Sequence, residues 1–319
     1  MVSTRVATVG DCVAVLEEAF PPAWAQSWDA VGLAVGDPEA PVTTVLFAVD
    51  PTVEVAVEAA AGAQLLVTHH PLFLRGIHGV AETGSGGRVV ATLIRAGVAL
   101  YTAHTNADVA DPGVSDALAA ALGLRQVGPL DPAQPADAQL DGAQAPEAQA
   151  PEAQAPGVEP AGAEPAGVEP AGEGAAAPVC RGLGRIGELP EPEPLERFCA
   201  RVARALPATA GGVRATGAAD RLVRRVAVCG GSGGELAGAA RAAGADVLVT
   251  ADGRHHHVLD TVGEHPIAVV DVAHWASEWP WLAHAAARLE AGLRTRGRTV
   301  SASVSAIVTD PWRLHVPSR

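Results

Sequence analysis

The chain has no lysine. All 22 of its basic residues are arginine, which excludes a phosphate loop built on lysine and any enzyme that holds its substrate as a lysine Schiff base. Aromatic residues fill only 3% of the 319 positions, so alanine, valine and leucine must supply most of the packing. The four cysteines, Cys12, Cys180, Cys199 and Cys229, lie far apart and form no Cys-x-x-Cys pair; reduced thiols in a cytoplasmic protein are the expectation. No apolar run reaches membrane-spanning length, and the first residues lead into an amphipathic segment instead of an apolar signal core, so a soluble protein with no membrane partner is expected. A basic surface is missing as well. The net charge is −14, which argues against general nucleic-acid binding because phosphate neutralisation needs cations.

Most of that charge belongs to one segment. Between Asp131 and Pro178 there are nine acids and no arginine. From about Val127 to Pro178 the sequence keeps a five-residue beat: Gln144-Ala145-Pro146-Glu147-Ala148 recurs from Gln149, and Val158-Glu159-Pro160-Ala161-Gly162 recurs with small changes from Ala163 and Val168. A proline in every repeat opposes helix and sheet, and little there is apolar enough to bury. The segment reads as a disordered, Ala/Pro/Glu-rich tether, dividing the chain into an N-terminal half at 1–126, a linker at 127–178 and a C-terminal half at 179–319 that completes the site described below.

The two halves are related. Val45-Leu46-Phe47-Ala48-Val49-Asp50, an alanine-rich helical stretch and Leu65-Leu66-Val67-Thr68-His69-His70 correspond to Val226-Ala227-Val228-Cys229-Gly230, a second such stretch and Val247-Leu248-Val249-Thr250-Ala251-Asp252. The third strands, Val98-Ala99-Leu100-Tyr101 and Ile267-Ala268-Val269-Val270, each run into a His-x-x-x-acid segment. Apolar runs of four to six residues alternating with helical stretches predict an α/β fold with substantial parallel pairing. Helices are expected over 11–20, 53–61, 88–96, 115–122, 194–206, 235–243 and 279–293, with a last strand over 300–308.

Ligands of such sheets sit beyond the carboxyl ends of the strands, and there the chain places imidazoles and carboxylates, the donor set of a divalent metal. Pro71 keeps His70 extended, and neighbouring residues of an extended chain point apart, so His69 and His70 can reach two metals, or one metal and a supporting partner. His104 and Asp108 enclose a segment that reads as a polar loop, and a loop carboxylate can bridge two cations. His274 and Glu278 stand four apart in what should be the first turn of a helix, on one face. Each of these signals alone also fits an ordinary core histidine, a turn cap or a solvent-facing pair; the case rests on their convergence. Gly230-Gly231-Ser232-Gly233-Gly234 reads either as an anion cradle of backbone N–H groups or as a tight strand-to-helix turn. Of the histidines at 255–257, His256 is the one expected near the site.

Trp28-Asp29-Ala30-Val31-Gly32-Leu33, Val67-Thr68-His69-His70-Pro71-Leu72, His104-Thr105-Asn106-Ala107-Asp108, Gly182-Leu183-Gly184-Arg185-Ile186-Gly187, Gly230-Gly231-Ser232-Gly233 and Asp271-Val272-Ala273-His274-Trp275-Ala276-Ser277-Glu278 resemble, in order, the signatures of the Nif-three-like dinuclear-metal family. Its members carry the name GTP cyclohydrolase I type II homologue. The resemblance spans nearly all of the chain outside the low-complexity insert. It implies a Nif-three-like fold and two divalent ions per chain, of zinc, manganese or iron, on His69, His70, Asp108, His274 and Glu278, with His104 close by. It also implies a homohexameric ring. Ala30, Ala251 and Ala273 depart from the family pattern, the last two at positions where glycine is usual.

The function expected on this basis is two-metal hydrolysis of a small anionic, nucleotide-like substrate, with Asp108 bridging and His104 shuttling a proton; ring opening of GTP is the version that the family name carries. A ring-shaped metal-binding scaffold without turnover is the rival, since fold does not fix function.

Overall fold

Each half builds its sheet on three mainly apolar parallel strands. In the computed structural model, which describes residues 5–133, 181–264 and 267–317, the first half runs β1 (Arg5–Thr8), α1 (Val9–Ala19), β2 (Gly32–Val35), β3 (Pro41–Val42), β4 (Thr44–Ala48), α2 (Val53–Ala60), β5 (Leu65–Thr68), α3 (Ser85–Ala96), β6 (Ala99–Thr102), α4 (Thr105–Asp108), α5 (Val114–Ala121) and β7 (Arg125–Pro132). The second half runs β8 (Gly182–Pro194), α6 (Leu195–Ala205), β9 (Arg214–Ala215), β10 (Leu222–Ser232), α7 (Ala237–Ala242), β11 (Val247–Ala251), α8 (His255–Glu264), β12 (Ala268–Val272), α9 (His274–Thr295), β13 (Arg298–Thr299) and β14 (Ser301–Val304).

The internal repeat is a repeat of parallel ladders. β4, β5 and β6 pair in parallel in that order, and so do β10, β11 and β12. Both trios are buried on two faces, which is why they read as continuous apolar runs instead of alternating ones. Along β4 the side chains still alternate. Leu46 packs with Leu66, Leu100, Val55 and Leu93 of the α2–α3 side, whereas Val45 and Phe47 join the central core. That core also takes Val226, Val228, Val249 and Val270 of the second sheet and Trp281, Leu282 and Leu289 of α9.

The halves exchange strands. β14, from the end of the chain, pairs in parallel with β4 of the first sheet, and β7, from the first half, pairs antiparallel with β8 of the second. The two six- and five-stranded sheets therefore contain chain from both halves. β7 also carries ordered backbone to Pro132, over the first residues read as linker; the remainder of that segment, from 134 to 178, lies outside the described residues.

The helix expected over 279–293 is part of a 22-residue helix, α9, that starts earlier, at His274, and runs to Thr295 through Pro280. The expected helices leave out α4 and α8, and the expected strands leave out β1–β3, β7–β9 and β13. α4 replaces the loop expected between His104 and Asp108, because Asn106 and Ala107 are buried there and Asn106 donates to the Phe20 carbonyl at 2.7 Å. Among the described residues no helix is long and apolar enough to cross a membrane.

Candidate metal centre

The carboxyl ends of β5, β6 and β12 converge, and each delivers a histidine. His69 and His70 prolong β5, their N–H groups donating to Ala48 and Val49 carbonyls at 3.1 and 2.9 Å. His104 follows β6, and His274 opens α9 directly after β12. The rings of His69 and His70 are 5.0 Å apart, His69 and His104 5.1 Å, and His70 and His274 5.2 Å between centroids. Ligand atoms of His69, His70 and His104 all lie within 4.8 Å of one another, and so do those of His70, His274 and Glu278. His70 belongs to both groups, so the structure holds two adjacent donor clusters that share a member.

Glu278 is the central acid. Its Oε1 lies 2.9 Å from His274 Nε2 and 3.4 Å from His69 Nε2, and its Oε2 lies 3.1 Å from His70 Nε2. The helical start at His274 explains this, since i and i+4 share a face. Asp108, at the end of α4, approaches His69 Nε2 at 3.7 Å. Gly231 makes room for the acid: a Cβ there would stand 2.4 Å from Glu278 Oε1 and 3.1 Å from His274 Nε2, and its φ of +66 favours glycine. Trp281 closes the back of the cluster, 5.4 Å from the His69 ring.

The outward nitrogens of all four imidazoles are occupied. His69 Nδ1 donates to the Ala103 carbonyl at 3.0 Å, His70 Nδ1 to Asp50 at 2.7 Å, His104 Nδ1 to Asp29 at 2.9 Å and His274 Nδ1 to Asp252 at 2.6 Å. A carbonyl or carboxylate on Nδ1 holds the proton on that side and turns the Nε2 lone pair inward, the arrangement found around metal-binding histidines. Asp50 and Asp252 are the residues that sequence reading missed. Asp50 follows β4, the first strand of one trio, and Asp252 follows β11, the second strand of the other, so the repeat does not pair them and carried no signal for their role. Asp29 also accepts from the Thr105 N–H and hydroxyl.

The charges of the cluster act on one another. Burial pushes the Glu278 carboxyl up, but His70 and His69 overcome it and hold the group well below the usual carboxylate range. Burial likewise opposes protonation of His70 and His274; Glu278 outweighs it in both, and His274 is pushed up to about 9. For Asp108 burial prevails over the pull of His69, and its carboxyl is raised. Asp29 stays far below the carboxylate range because hydrogen bonds from His104 and Thr105 exceed the cost of its burial. The same donor set suits a divalent ion, whose charge replaces the protons. His69 Nε2 and Glu278 Oε2 are buried with no aligned hydrogen-bond partner, as donors meant for a cation would be.

Other expectations fare differently. The glycine loop is the tight turn and not an anion cradle, because Gly230, Gly231 and Gly233 spend their N–H groups on Ser115, Ser277 and Thr250 hydroxyls at 3.3, 2.8 and 2.8 Å. His255, His256 and His257 are exposed at the start of α8 and enter neither donor cluster. Ala273 sits at φ −65, ψ 134 as the cap of α9, an ordinary conformation for alanine, and Ala251 lies within β11. Neither position needs glycine.

Asp252 offers a clean test of the outward hydrogen bonds. It stands at φ +55, a conformation that asparagine tolerates, so Asp252→Asn changes the charge beside His274 and leaves the backbone alone. The variant is expected to bind its metal roughly 10- to 100-fold more weakly, with unfolding by urea unchanged; competition against a chromogenic chelator measures the first quantity.

A two-half α/β protein with paired His/carboxylate clusters at the strand ends is the class that fold and site define. The chain belongs to the Duf34/NIF3 (NGG1p interacting factor 3) family, whose model matches residues 7–311. It is 45% identical over 311 residues to the GTP cyclohydrolase 1 type 2 homolog of Streptomyces coelicolor, covering 97% of this chain and 95% of that one. It is 41% identical to the Mycobacterium tuberculosis protein of the same name, covering 96% and 97%. Among solved structures, a Bacillus cereus protein related to NIF3 has the same fold, with a TM-score of 0.80 at 24% identity over 98% of this chain and all of the other.

Proposed function

We propose that this protein is a metal-dependent hydrolase of a small nucleotide-like substrate, working with two divalent ions held by His69, His70, Asp108, His274 and Glu278. The observation that carries this reading is the set of four imidazoles with Nδ1 anchored outward, three of which, His69, His70 and His274, turn Nε2 on one buried carboxylate, Glu278. Nitrogen and oxygen donors in this mixture suit zinc, manganese or iron. When bound, two such ions supply Lewis acidity and a nucleophile at neutral pH. The chain's own residues do the rest. Glu278 and Asp108 balance the positive charge, Trp281 excludes water behind His69, and the Asp29 carboxylate keeps His104 oriented to hold and pass on a proton. The name of the relatives supports GTP as a substrate to include, and a homohexamer in the cytoplasm completes the proposal.

The test is a nucleotide panel, GTP included, offered to protein loaded with each metal in turn. Turnover is expected for the wild type and for neither Asp108→Ala nor His104→Gln, with His104→Gln keeping its metal. A wild-type rate no greater than that of Asp108→Ala would reject the hydrolase reading.

A further inference from the structure

Beside the donor clusters lies a cavity of about 450 Å³, within the range of small-molecule sites, roughly 300–1,000 Å³. His274 and its partner Asp252 form the side next to the candidate metals, Arg214 of β9 and Asp271 of β12 form another, and Asp310 and Trp312 cover it from the segment after β14. Thr309 ties that segment to Asp50, the residue that orients His70. The cover is thus attached to the metal site itself.

The wall is rich in acceptors. One guanidinium faces three carboxylates, and it is already engaged, since Arg214 donates to Asp271, whose other oxygen accepts the Gly253 N–H at 2.9 Å. Asp252 is engaged with His274. Asp310 is 2% exposed, and its Oδ2 makes no hydrogen bond. Such a wall disfavours a phosphate and favours a group that donates N–H. Trp312 is its opposite in character: an indole 72% exposed at the edge of the same cavity, where a flat ring can stack and remove two apolar faces from water at once.

We propose that this cavity is the subsite for a planar, N–H-donating heteroaromatic ring, stacked on Trp312 with its donors toward the carboxylate wall, while the reacting end of the same molecule reaches the His/Glu clusters. This rests on the hydrolase reading for the identity of the reacting end, but the subsite itself does not require turnover. It divides the substrate by chemistry, with the ring at the acidic wall and the anionic part at the cations.

Calorimetric titration of the zinc-loaded full chain with guanosine, purine riboside and ribose 5-phosphate tests it. Guanosine carries ring and exocyclic N–H donors, and purine riboside carries none. Guanosine is expected to bind at least tenfold more tightly than purine riboside. Trp312→Ala is expected to weaken guanosine about tenfold with metal content unchanged, and Trp312→Phe to restore most of the loss. Equal binding of guanosine by wild type and Trp312→Ala, equal binding of the two nucleosides, or no guanosine binding at millimolar concentration would each overturn the subsite. The same titration on Glu278→Ala reads the ring subsite apart from the metals, so its failure and that of the hydrolase reading are separate results.

Discussion

The wild type is expected to purify with bound metal, and Glu278→Ala to purify without it and to show no thermal response when zinc or manganese is added. Glu278 touches three imidazoles through its two oxygens, at 2.9, 3.4 and 3.1 Å, so its removal takes the acid from the His70/His274/Glu278 cluster and the carboxylate that faces His69 of the other. In the wild type, an ion that binds only the folded state at about 1,000 times its dissociation constant contributes about 4 kcal/mol. For a chain of this size that is a rise in melting temperature of roughly 10 °C. Chelator should reverse the rise in the wild type and do nothing to the variant. Elemental analysis and a melting curve with and without metal check both halves of the expectation; a variant that keeps its metal and its thermal shift would remove Glu278 from the site.

Arg185→Leu is expected to cost the fold about 3–5 kcal/mol, the range for breaking a buried ionic cluster by removing one partner. Arg185 is 1% exposed on β8. Its Nε donates to Asp116 at 2.8 Å, its Nη1 to the carbonyls of Gly182 and Gly184 at 2.7 and 2.9 Å, and its Nη2 to the Ala110 carbonyl at 2.5 Å. Asp116 in turn accepts the Gly113 N–H at 2.7 Å. Leucine fills much of the space but satisfies none of these acceptors. The arginine joins a strand of the second half to the turn just after Asp108, so its loss should also loosen that carboxylate. Urea denaturation measures the cost. Arg185→Lys keeps a charge but lacks the planar fork and should fall between wild type and leucine; a leucine variant as stable as the wild type would show that the cluster is not holding the halves together.

The motif Gly182-Leu183-Gly184-Arg185-Ile186-Gly187 was visible in the sequence, but nothing in it said what the arginine touches. The partners are 69 and 75 positions away for Asp116 and Ala110. The same limit applies to Asp50 and Asp252. Their strands were legible as apolar runs, and the histidines were legible as imidazoles at strand ends. That each aspartate would meet a particular Nδ1 depended on how parallel neighbours are registered, as in Ala48 beside Thr68 and Ala251 beside Val272. His104-x-x-x-Asp108 reads as a loop because a four-residue helix has too little periodicity to be seen, and its buried Asn106 owes its place to the Phe20 carbonyl 86 positions earlier.

By itself the sequence determined the two α/β halves, their common plan and the residue types available for a metal, because apolar runs of strand length and a repeated order of motifs are local properties that survive without coordinates. The tertiary structure decided which acid stands at the centre, which carboxylates turn the imidazoles inward, and that the halves trade β7 and β14. These are contacts between residues far apart along the chain, set by packing and strand register, and no local pattern encodes them.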